Sequence, residues 1–205
     1  MRDLEDPTQS GNVKSTQVTI RPATTDDVSA ILNLHQESIN DHDPSKSLQA
    51  AGLEVPADLQ HFSSTYIGSI HNRFWVAVVP EQFPSASTMK QTSGPHEQVI
   101  GMVGVVATKT DVAEMRRLRV TPSFRRQGIA GRLLRAALAH CRDQGFLKVL
   151  LDARLEQTAA VQLFEREGFQ FSRNRESAGV QIREFYLDLY LSLIHISEPT
   201  RHRLI

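Results

Sequence analysis

The sequence predicts an α+β fold with α/β-type local order, in which a mixed, mostly antiparallel sheet carries helices on both faces. Hydrophobic periodicity gives the element order strand, helix, helix, three strands, helix, strand, helix, two strands. The section that alternates strands with helices requires right-handed crossovers between partly parallel strands, and the remaining strands are expected to pair as antiparallel hairpins. The length of 205 residues, 40% of them hydrophobic, suits one domain with tails.

The chain is predicted to begin with one strand and two helices. The alternation of Val18 and Ile20 predicts a short strand that Pro22 ends. Thr24, followed three residues later by Asp27, forms a capping box and marks a helix start. The apolar face of this helix is predicted to hold Val28, Ile31, Leu32, His35 and Ile39. A second amphipathic helix is predicted from the spacing of Leu59, Phe62, Tyr66, Ile67 and Ile70.

Three strands are predicted next. Phe74–Val79 is an apolar run typical of a strand buried on both faces. Glu81–Gln98, rich in Ser, Thr, Pro and Gly, is predicted to be a long surface loop. Val99–Thr108 and Val112–Val120 are predicted to be strands joined by the polar turn Lys109–Asp111.

The second half alternates helices with strands. One helix is predicted to open at Gly128 and to stop near Gly145. Lys148–Asp152 is predicted to be a strand and Thr158–Glu167 a helix. The closing strands are predicted at Phe169–Arg173 and Val180–Tyr190.

Both ends are predicted to lie outside the domain, which spans residues 17–190. Residues 1–16 lack apolar periodicity and are expected to form a flexible polar tail. Leu191–Arg201 resembles a translated sequencing-library adapter, so residues 191–205 are interpreted as a non-native tail.

Composition argues against several classes of protein. A single Cys cannot form an internal disulfide, which favours a reducing compartment. The longest apolar run, about Val99–Ala107, is half what a membrane-spanning helix needs, and the acidic N-terminus is unlike a signal peptide. Lys plus Arg equal Asp plus Glu, at 23 each, so net charge gives no attraction to nucleic acid or anionic membranes. We therefore expect a cytoplasmic protein without nucleic-acid or membrane partners.

The segment most informative about chemistry is Arg125-Arg126-Gln127-Gly128-Ile129-Ala130-Gly131, which we call the phosphate cradle. It lies where a strand ends and a helix begins. A helix N-terminus presents unpaired N–H groups and partial positive charge, and small residues let an anion approach the main chain. The pattern, with Arg132 beside it, predicts a phosphate or pyrophosphate site. A glycine-initiated helix with solvated arginines is the alternative, and the position between strand and helix favours the phosphate site.

Three further segments are informative: Arg-x-x-Gly-x-Ala at 125–130, EMRRLRVTPSF at 114–124 and QTAAVQLFEREGF at 157–169. Together they resemble the GNAT superfamily of N-acetyltransferases. Arg142-Asp-Gln-Gly-Phe and the Gln157-x-x-Ala-Val-x-Leu-Phe block are similar to motifs of the camello-like branch, although a membrane segment like that branch's is not found in the sequence. Because the predicted element order also matches this family's fold, the resemblance covers about Gln17–Tyr190.

The resemblance implies an acetyl-CoA-dependent N-acetyltransferase, an acyltransferase of the EC 2.3.1 type that uses no metal. In such enzymes the strand equivalent to Val112–Val120 splays from the next strand and leaves a V-shaped slot for the thioester. The Val120 amide is expected to polarise the thioester carbonyl, as an oxyanion hole does. The coenzyme-binding residues implied are Leu118, Arg119, Val120, Arg125, Arg126, Gln127, Gly128, Ile129, Ala130, Gly131, Arg132, Gln157, Ala160 and Phe164.

Two positions depart from the family pattern. Gln157 stands where the family usually has Asn, and it keeps the amide donor and acceptor on a longer side chain. Phe164 stands where the family often has a Tyr general acid, and a phenyl ring cannot donate a proton. A thiol with a pKa of about 8.5 leaves well as the anion. Water or Tyr186 is therefore the stand-in proton donor.

Glu114 is the candidate general base, since it lies six residues before Val120, where some family members place a catalytic glutamate. Strand alternation predicts that Glu114 shares a face with Arg116, Leu118 and Val120. A carboxylate there could accept the amine proton directly or through water. The alternative is an ordinary salt bridge with a neighbouring arginine.

Other reactive residues are interpreted as structural or coenzyme-binding. Cys141 and His35 lie on apolar helix faces and are expected to pack in the core. Asp41-His42-Asp43 lacks a further spaced ligand and is interpreted as a solvated turn. Seven arginines could form an RNA patch, but the neutral chain and the lack of nearby stacking aromatics favour coenzyme phosphates. They are Arg116, Arg117, Arg119, Arg125, Arg126, Arg132 and Arg135.

The predicted function is transfer of an acetyl group from acetyl-CoA to a primary amine of a small molecule or peptide, by direct attack in a ternary complex. The acceptor pocket is expected between about His42–Pro56 and the turn near Arg175–Val180. Five acidic residues there hint at a cationic amine: Glu37, Asp41, Asp43, Glu54 and Asp58. Two alternatives stay open, a catalytically silent coenzyme A-binding sensor or scaffold, suggested by Phe164, and a nucleic-acid-binding module.

Overall fold

The computed structural model describes residues 17–40, 55–80, 97–177 and 179–190. Over these residues seven strands form one sheet in the order β1-β2-β3-β4-β5-β7-β6. Only β4 and β5 pair in parallel, and the other neighbours are antiparallel. The strands are β1 (Thr19–Pro22), β2 (Arg73–Pro80), β3 (Glu97–Ala107), β4 (Val112–Val120), β5 (Lys148–Arg154), β6 (Gln170–Ser177) and β7 (Val180–Asp188). The predicted mixed, mostly antiparallel α+β fold is confirmed.

Helices cover both faces of the sheet and define two cores. The helices are α1 (Val28–Asn40), α2 (Ala57–Gln60), α3 (Ile129–Asp143) and α4 (Thr158–Arg166). Apolar side chains of α3 and α4 pack on one face with Val103, Val105 and Met115. Those of α1 and α2 pack on the other with Phe74 and Met102. We call these the α3 face and the α1 face.

The start of α1 is fixed by Asp27, as the capping-box pattern predicts. The Thr24 N–H donates to Asp27 Oδ2 at 2.8 Å, and a short 3-10 turn, Thr25–Asp27, leads into the helix. Arg21 binds the same carboxylate through Nη1–Oδ2 at 2.8 Å and Nη2–Oδ1 at 2.9 Å. The cap therefore also ties β1 to α1.

The prediction of one continuous second helix is wrong. The chain forms the short α2 and then a π-helical turn, Ser63–Ile67, closed by the Gly68 N–H donating to Ser63 O at 2.9 Å. This wider turn keeps Tyr66 in the core but leaves Ile67 45% and Ile70 75% exposed. The apolar spacing therefore ends at Tyr66.

A bulge in β4 overturns the prediction that Glu114 shares a face with Leu118 and Val120. Gly104 pairs with Arg116, but Met102 pairs with Arg119, so β4 carries one extra residue in this stretch. Arg117 adopts a φ of 60°, as a bulged residue can. The extra residue reverses the alternation: Leu118 and Val120 pack on the α3 face, while Arg119, opposite Met102, joins Glu114 and Arg116 on the α1 face.

Some predictions fall outside the described residues. These are the polar tail 1–16, the adapter-like tail 191–205, most of the loop 81–98, the Asp41-His42-Asp43 turn, and most of the acceptor segment 42–56. Glu97 and Gln98, predicted as the end of the loop, belong to β3.

Candidate functional site: a cleft between two splayed strands

The parallel strands β4 and β5 separate after four paired residues. Pairing runs from Val112 with Lys148 to Met115 with Leu151 and then stops. Beyond it, the rest of β4 stays paired with β3 only. The gap opens into a cleft of about 910 Å³ lined by both strands and by the first turns of α3 and α4. The predicted V-shaped slot is present.

The edge of β4 that faces this cleft has main-chain groups without a strand partner. The Thr121 N–H donates to Ile100 O of β3 at 2.9 Å, whereas Val120 O accepts from Arg125 Nε at 3.1 Å. In an extended strand, the N–H and C=O of one residue point to the same side. The Val120 N–H is therefore on the edge that faces the cleft.

The phosphate cradle closes one end of the cleft and has the backbone shape of an anion site. Arg126 and Gly128 have positive φ values of 65° and 75°. A Cβ placed on Gly128 would have no atom within 4 Å, so the space above it is open. The Arg132 N–H donates to Gly128 O at 3.1 Å, and the three amides before it, in the first turn of α3, have no α-helical acceptor. Open space beside free amides fits a phosphate.

Most of the predicted coenzyme-binding residues come together in the cleft, and two do not. The residues that line it are Leu118, Arg119, Val120, Arg125, Arg126, Gly128, Ile129, Ala130, Gly131, Gln157, Ala160 and Phe164. Gln127 is exposed and Arg132 donates through Nη2 to Val18 O at 2.9 Å, and neither lines the cleft. The structure therefore does not bring these two side chains into the cleft.

Glu114 lines the cleft but is held by a neighbour. Arg116 donates to its two carboxylate oxygens through Nε and Nη2, both at 2.7 Å. This is the salt bridge of the alternative interpretation, and both groups are half-buried. A base at this position would share its oxygens with a guanidinium.

A second carboxylate in the cleft, Asp152 on β5, was missed by the sequence analysis. Burial raises its pKa, Glu114 and Glu184 raise it further, and a hydrogen bond from Arg175 Nη2 at 2.5 Å opposes the rise. Its position just past the paired part of a parallel strand, where α/β sheets bind ligands, is the signal that could have found it. Arg154, two residues on, lines the cleft as well.

The structure also shows the contacts of Phe164 and Gln157, the two positions that depart from the family pattern. Phe164 is 4% exposed and packs against Phe169 and Phe185 at ring distances of 6.1 and 5.9 Å. Gln157 Oε1 accepts from the Arg154 N–H at 3.3 Å. Tyr186, the stand-in proton donor, donates its hydroxyl to Gln170 Oε1 at 2.7 Å and does not line the cleft.

The remaining reactive residues lie in the cores. Cys141 is fully buried, and burial raises the pKa of its thiol to about 12. Burial lowers the pKa of His35 to about 4, with Arg117 and Arg119 acting in the same direction. Within the described ranges, no group of three His, Cys, Asp or Glu side chains could hold a metal ion. The helices of those ranges are too short or too polar to cross a membrane.

Comparison with known sequences identifies the family. The profile of the acetyltransferase (GNAT) family matches residues 67–169, half of the chain. N-acetyltransferase 8 from Homo sapiens is 30% identical over 58% of this chain and 47% of its own length. N-acetyltransferase 8 from Rattus norvegicus is 31% identical over 69% and 57%. The chain thus spans about half the length of the curated relatives it matches.

Solved structures share the fold at low sequence identity. A GNAT-family acetyltransferase from Staphylococcus aureus superposes with a TM-score of 0.63 at 15% identity, over 84% of this chain and 99% of its own. An acetyltransferase from Streptococcus agalactiae gives 0.62 at 14%, over 83% and 98%. The expectation of an N-acyltransferase is confirmed at the level of the family: the chain belongs to the acetyltransferase (GNAT) family.

Proposed function

We propose that this chain is an acetyl-CoA-dependent N-acetyltransferase that moves an acetyl group to a primary amine of a small molecule or peptide. The observation that carries the proposal is the cleft between β4 and β5. It joins the phosphate cradle at one end to the free edge of β4 in its middle. One elongated thioester can contact both.

Acetyl-CoA fits the chemistry of the residues present. The amides of the cradle would bind its diphosphate, with Arg125 and Arg126 as flanking cations. The β4 edge at Leu118–Val120 would bind the amide groups of the pantetheine arm as an added strand would. Gln157 and Ala160, at the first turn of α4, would line the opposite wall.

The main-chain N–H of Val120 would polarise the thioester carbonyl. Its N–H is on the edge of β4 that faces the cleft, where the thioester carbonyl oxygen would lie. One such donor is worth about 3 kcal/mol of transition-state stabilisation. The amine nitrogen forms a bond to the carbonyl carbon, the carbon–sulfur bond breaks, and the electron pair leaves on sulfur.

A carboxylate would take the proton that the amine loses. We assign this role to Glu114, acting through a water molecule, because it lines the cleft on the α1 face. Asp152, on the same face of the neighbouring strand, is the competing candidate, and its raised pKa suits a base. Phe164 leaves the sulfur without a side-chain acid, so coenzyme A would depart as thiolate.

A catalytically silent coenzyme A-binding sensor is the second candidate. Two observations favour it: the buried ring of Phe164 stands at the general-acid position, and Arg116 holds both oxygens of Glu114. Coenzyme binding by the cradle is common to both candidates.

Two measurements test these proposals. Coenzyme A should raise the melting temperature of the protein; no shift at millimolar coenzyme A contradicts both candidates. Thiol release from acetyl-CoA is then followed with amino acids, amino-acid amides, polyamines and peptides. Release above the acceptor-free rate supports the transferase, and silence across the whole panel favours the sensor.

A further inference from the structure

Among the described residues, Arg119 is a largely buried cation without a counter-ion. Its Nε is fully buried and, in the part of the chain that the structure describes, has no hydrogen-bond partner. Burial, together with the nearby charges of Arg154, Arg117 and Arg125, lowers its pKa to about 10. A cation in this setting is unfavourable unless an anion joins it.

The bulge in β4 decides which way Arg119 faces. Because Arg119 pairs with Met102, its side chain lies on the α1 face. There its positive charge contributes to the lowered pKa of His35 in α1. The neighbouring Leu118 and Val120 pack on the α3 face. The phosphate cradle lies on that side, because it leads into α3. Arg119 therefore approaches the cleft from the side opposite to the cradle.

Arg154 reaches the cleft on the same side. Ala153 is buried in the α3-face core, so the alternation of β5 puts Asp152 and Arg154 on the α1 face. Arg154 is exposed, and within the described ranges its guanidinium has no hydrogen bond or ion pair. The two arginines are close enough for Arg154 to depress the pKa of Arg119.

Four of the carboxylates around this part of the cleft are already paired with other arginines. Glu114 is bound by Arg116, and Asp58 by Arg117. Asp152 is bound by Arg175, and Glu184 by Arg173 and Arg175. The described part of this side of the cleft therefore carries surplus positive charge. Asp41, Asp43 and Glu54, on which the expectation of a cationic amine partly rested, lie outside the described residues.

We propose that Arg119, assisted by Arg154, binds an anionic oxygen group of the acceptor, a carboxylate or a phosphate-like group carried by the amine. The inference rests on the proposed transferase function and names its acceptor class. Guanidinium groups match such anions with two parallel hydrogen bonds. Binding the anion at Arg119 would orient the amine toward the carbonyl that Val120 polarises.

The test compares acceptors that differ only in the anionic group. Amino acids, their α-amides and the matching 1-aminoalkylphosphonates are titrated calorimetrically into the coenzyme A-loaded protein and, separately, into the free protein. Initial rates with acetyl-CoA are measured on the same set. We expect the anionic forms to bind about 10- to 100-fold more tightly than the amides, as charged hydrogen bonds imply. The carboxylate and phosphonate arms decide which anion is preferred.

Variants assign the effect to Arg119. Arg119→Gln should reduce the anion-over-amide ratio to within about threefold, and Arg119→Lys should restore part of it. Arg142→Gln, which removes an exposed arginine of α3 that does not line the cleft, should keep the wild-type ratio. Circular dichroism and melting temperature check that each variant is folded.

Three outcomes separate the inference from the proposed function. Equal binding of acids and amides to the wild-type protein, including no binding of either, overturns the inference while the coenzyme site stands. Loss of coenzyme A affinity in Arg119→Gln with an unchanged acid preference also overturns it, because Arg119 would then serve the coenzyme. Failure of the wild-type protein to bind coenzyme A overturns the proposed function instead.

Discussion

Arg117 and Asp58 form a two-point ion pair, with Arg117 Nε 3.1 Å from Asp58 Oδ2 and Nη2 2.6 Å from Oδ1. The Tyr66 hydroxyl donates to the same Oδ2 at 2.9 Å. The pair links α2 to the bulge of β4, where Arg117 has its positive φ. A distant helix therefore holds the strand conformation that shapes the cleft.

Asp58→Asn should destabilise the protein by about 3 kcal/mol, because it leaves a largely buried arginine unpaired. For a chain of this size that corresponds to a fall in melting temperature of about 6–12 °C. Because the pKa of Asp58 lies below its ordinary value, the stabilisation is present at neutral pH and lost as the pH falls below about 4. The exposed Glu165→Gln serves as a control and should melt like the wild type. An equally stable Asp58→Asn would show that the pair does not hold the bulge.

Gly128→Asp and Gly128→Asn should differ in coenzyme A affinity although they have the same shape. Both place a side chain at a φ of 75°, which Asn and Asp tolerate better than other residues. Only Asp brings a negative charge to the cradle, so its dissociation constant should rise at least about tenfold above that of Asn, a cost of about 1.4 kcal/mol. Calorimetry measures both. Equal affinities would mean that no phosphate group lies at Gly128.

Glu114→Gln should lower kcat by about 100-fold or more and leave the coenzyme dissociation constant unchanged, as expected for loss of a general base. Asp152→Asn is the matched variant on the neighbouring strand. If Asp152→Asn abolishes turnover and Glu114→Gln does not, the base is Asp152. Rates at saturating acceptor and coenzyme titrations provide the two readouts.

His35 should make the protein less stable as the pH falls from 6.5 to 4. Its folded pKa of about 4 lies below the ordinary 6.5, so the unfolded chain binds the extra proton across this window. The loss should amount to about 3 kcal/mol; burial, Arg117 and Arg119 oppose protonation, while Asp58 favours it. Denaturant unfolding at pH 7, 5.5 and 4 measures it. His35→Gln should show a flatter profile, and an unchanged slope would locate the acid sensitivity elsewhere.

Arg119→Met should stabilise the free protein, because it removes a desolvated charge that has no partner among the described residues and keeps an apolar side chain in its place. A gain of about 1–3 kcal/mol would raise the melting temperature by roughly 2–12 °C. Arg142→Met is the control at an exposed arginine. A destabilised Arg119→Met would indicate that the guanidinium makes a contact on which the fold depends.

Local signals carried most of what the sequence could predict. The capping of α1 depends on Thr24 and Asp27, three residues apart, and the start of α3 on Gly128. Both the composition of the cradle and its position between a strand and a helix can be read from neighbouring residues. The splay of β4 from β5, in contrast, was predicted from the family resemblance and not from local signals.

Long-range contacts decided what the sequence could not predict. In the bulge Arg117 has a positive φ of 60°. The sequence has no glycine at this position that would have predicted such a conformation. The ion-pair partner of Arg117, Asp58, is 59 residues away. Strict alternation therefore assigned Leu118 and Val120 to the wrong face relative to Glu114. The π-helical turn after α2 was not predicted either, because the spacing of its apolar residues also fits an ordinary α-helix.

The extra residue at Arg117 decides which residues of β4 face each of the two proposed ligands. Odd-numbered residues lie on the α3 face before it and even-numbered residues after it. Leu118 and Val120 would therefore contact the acyl donor, and the neighbouring Arg119 the acceptor, from opposite faces of the strand. If Arg117 were paired in a regular ladder instead of bulging, the faces beyond it would be exchanged, and Leu118 instead of Arg119 would face the acceptor.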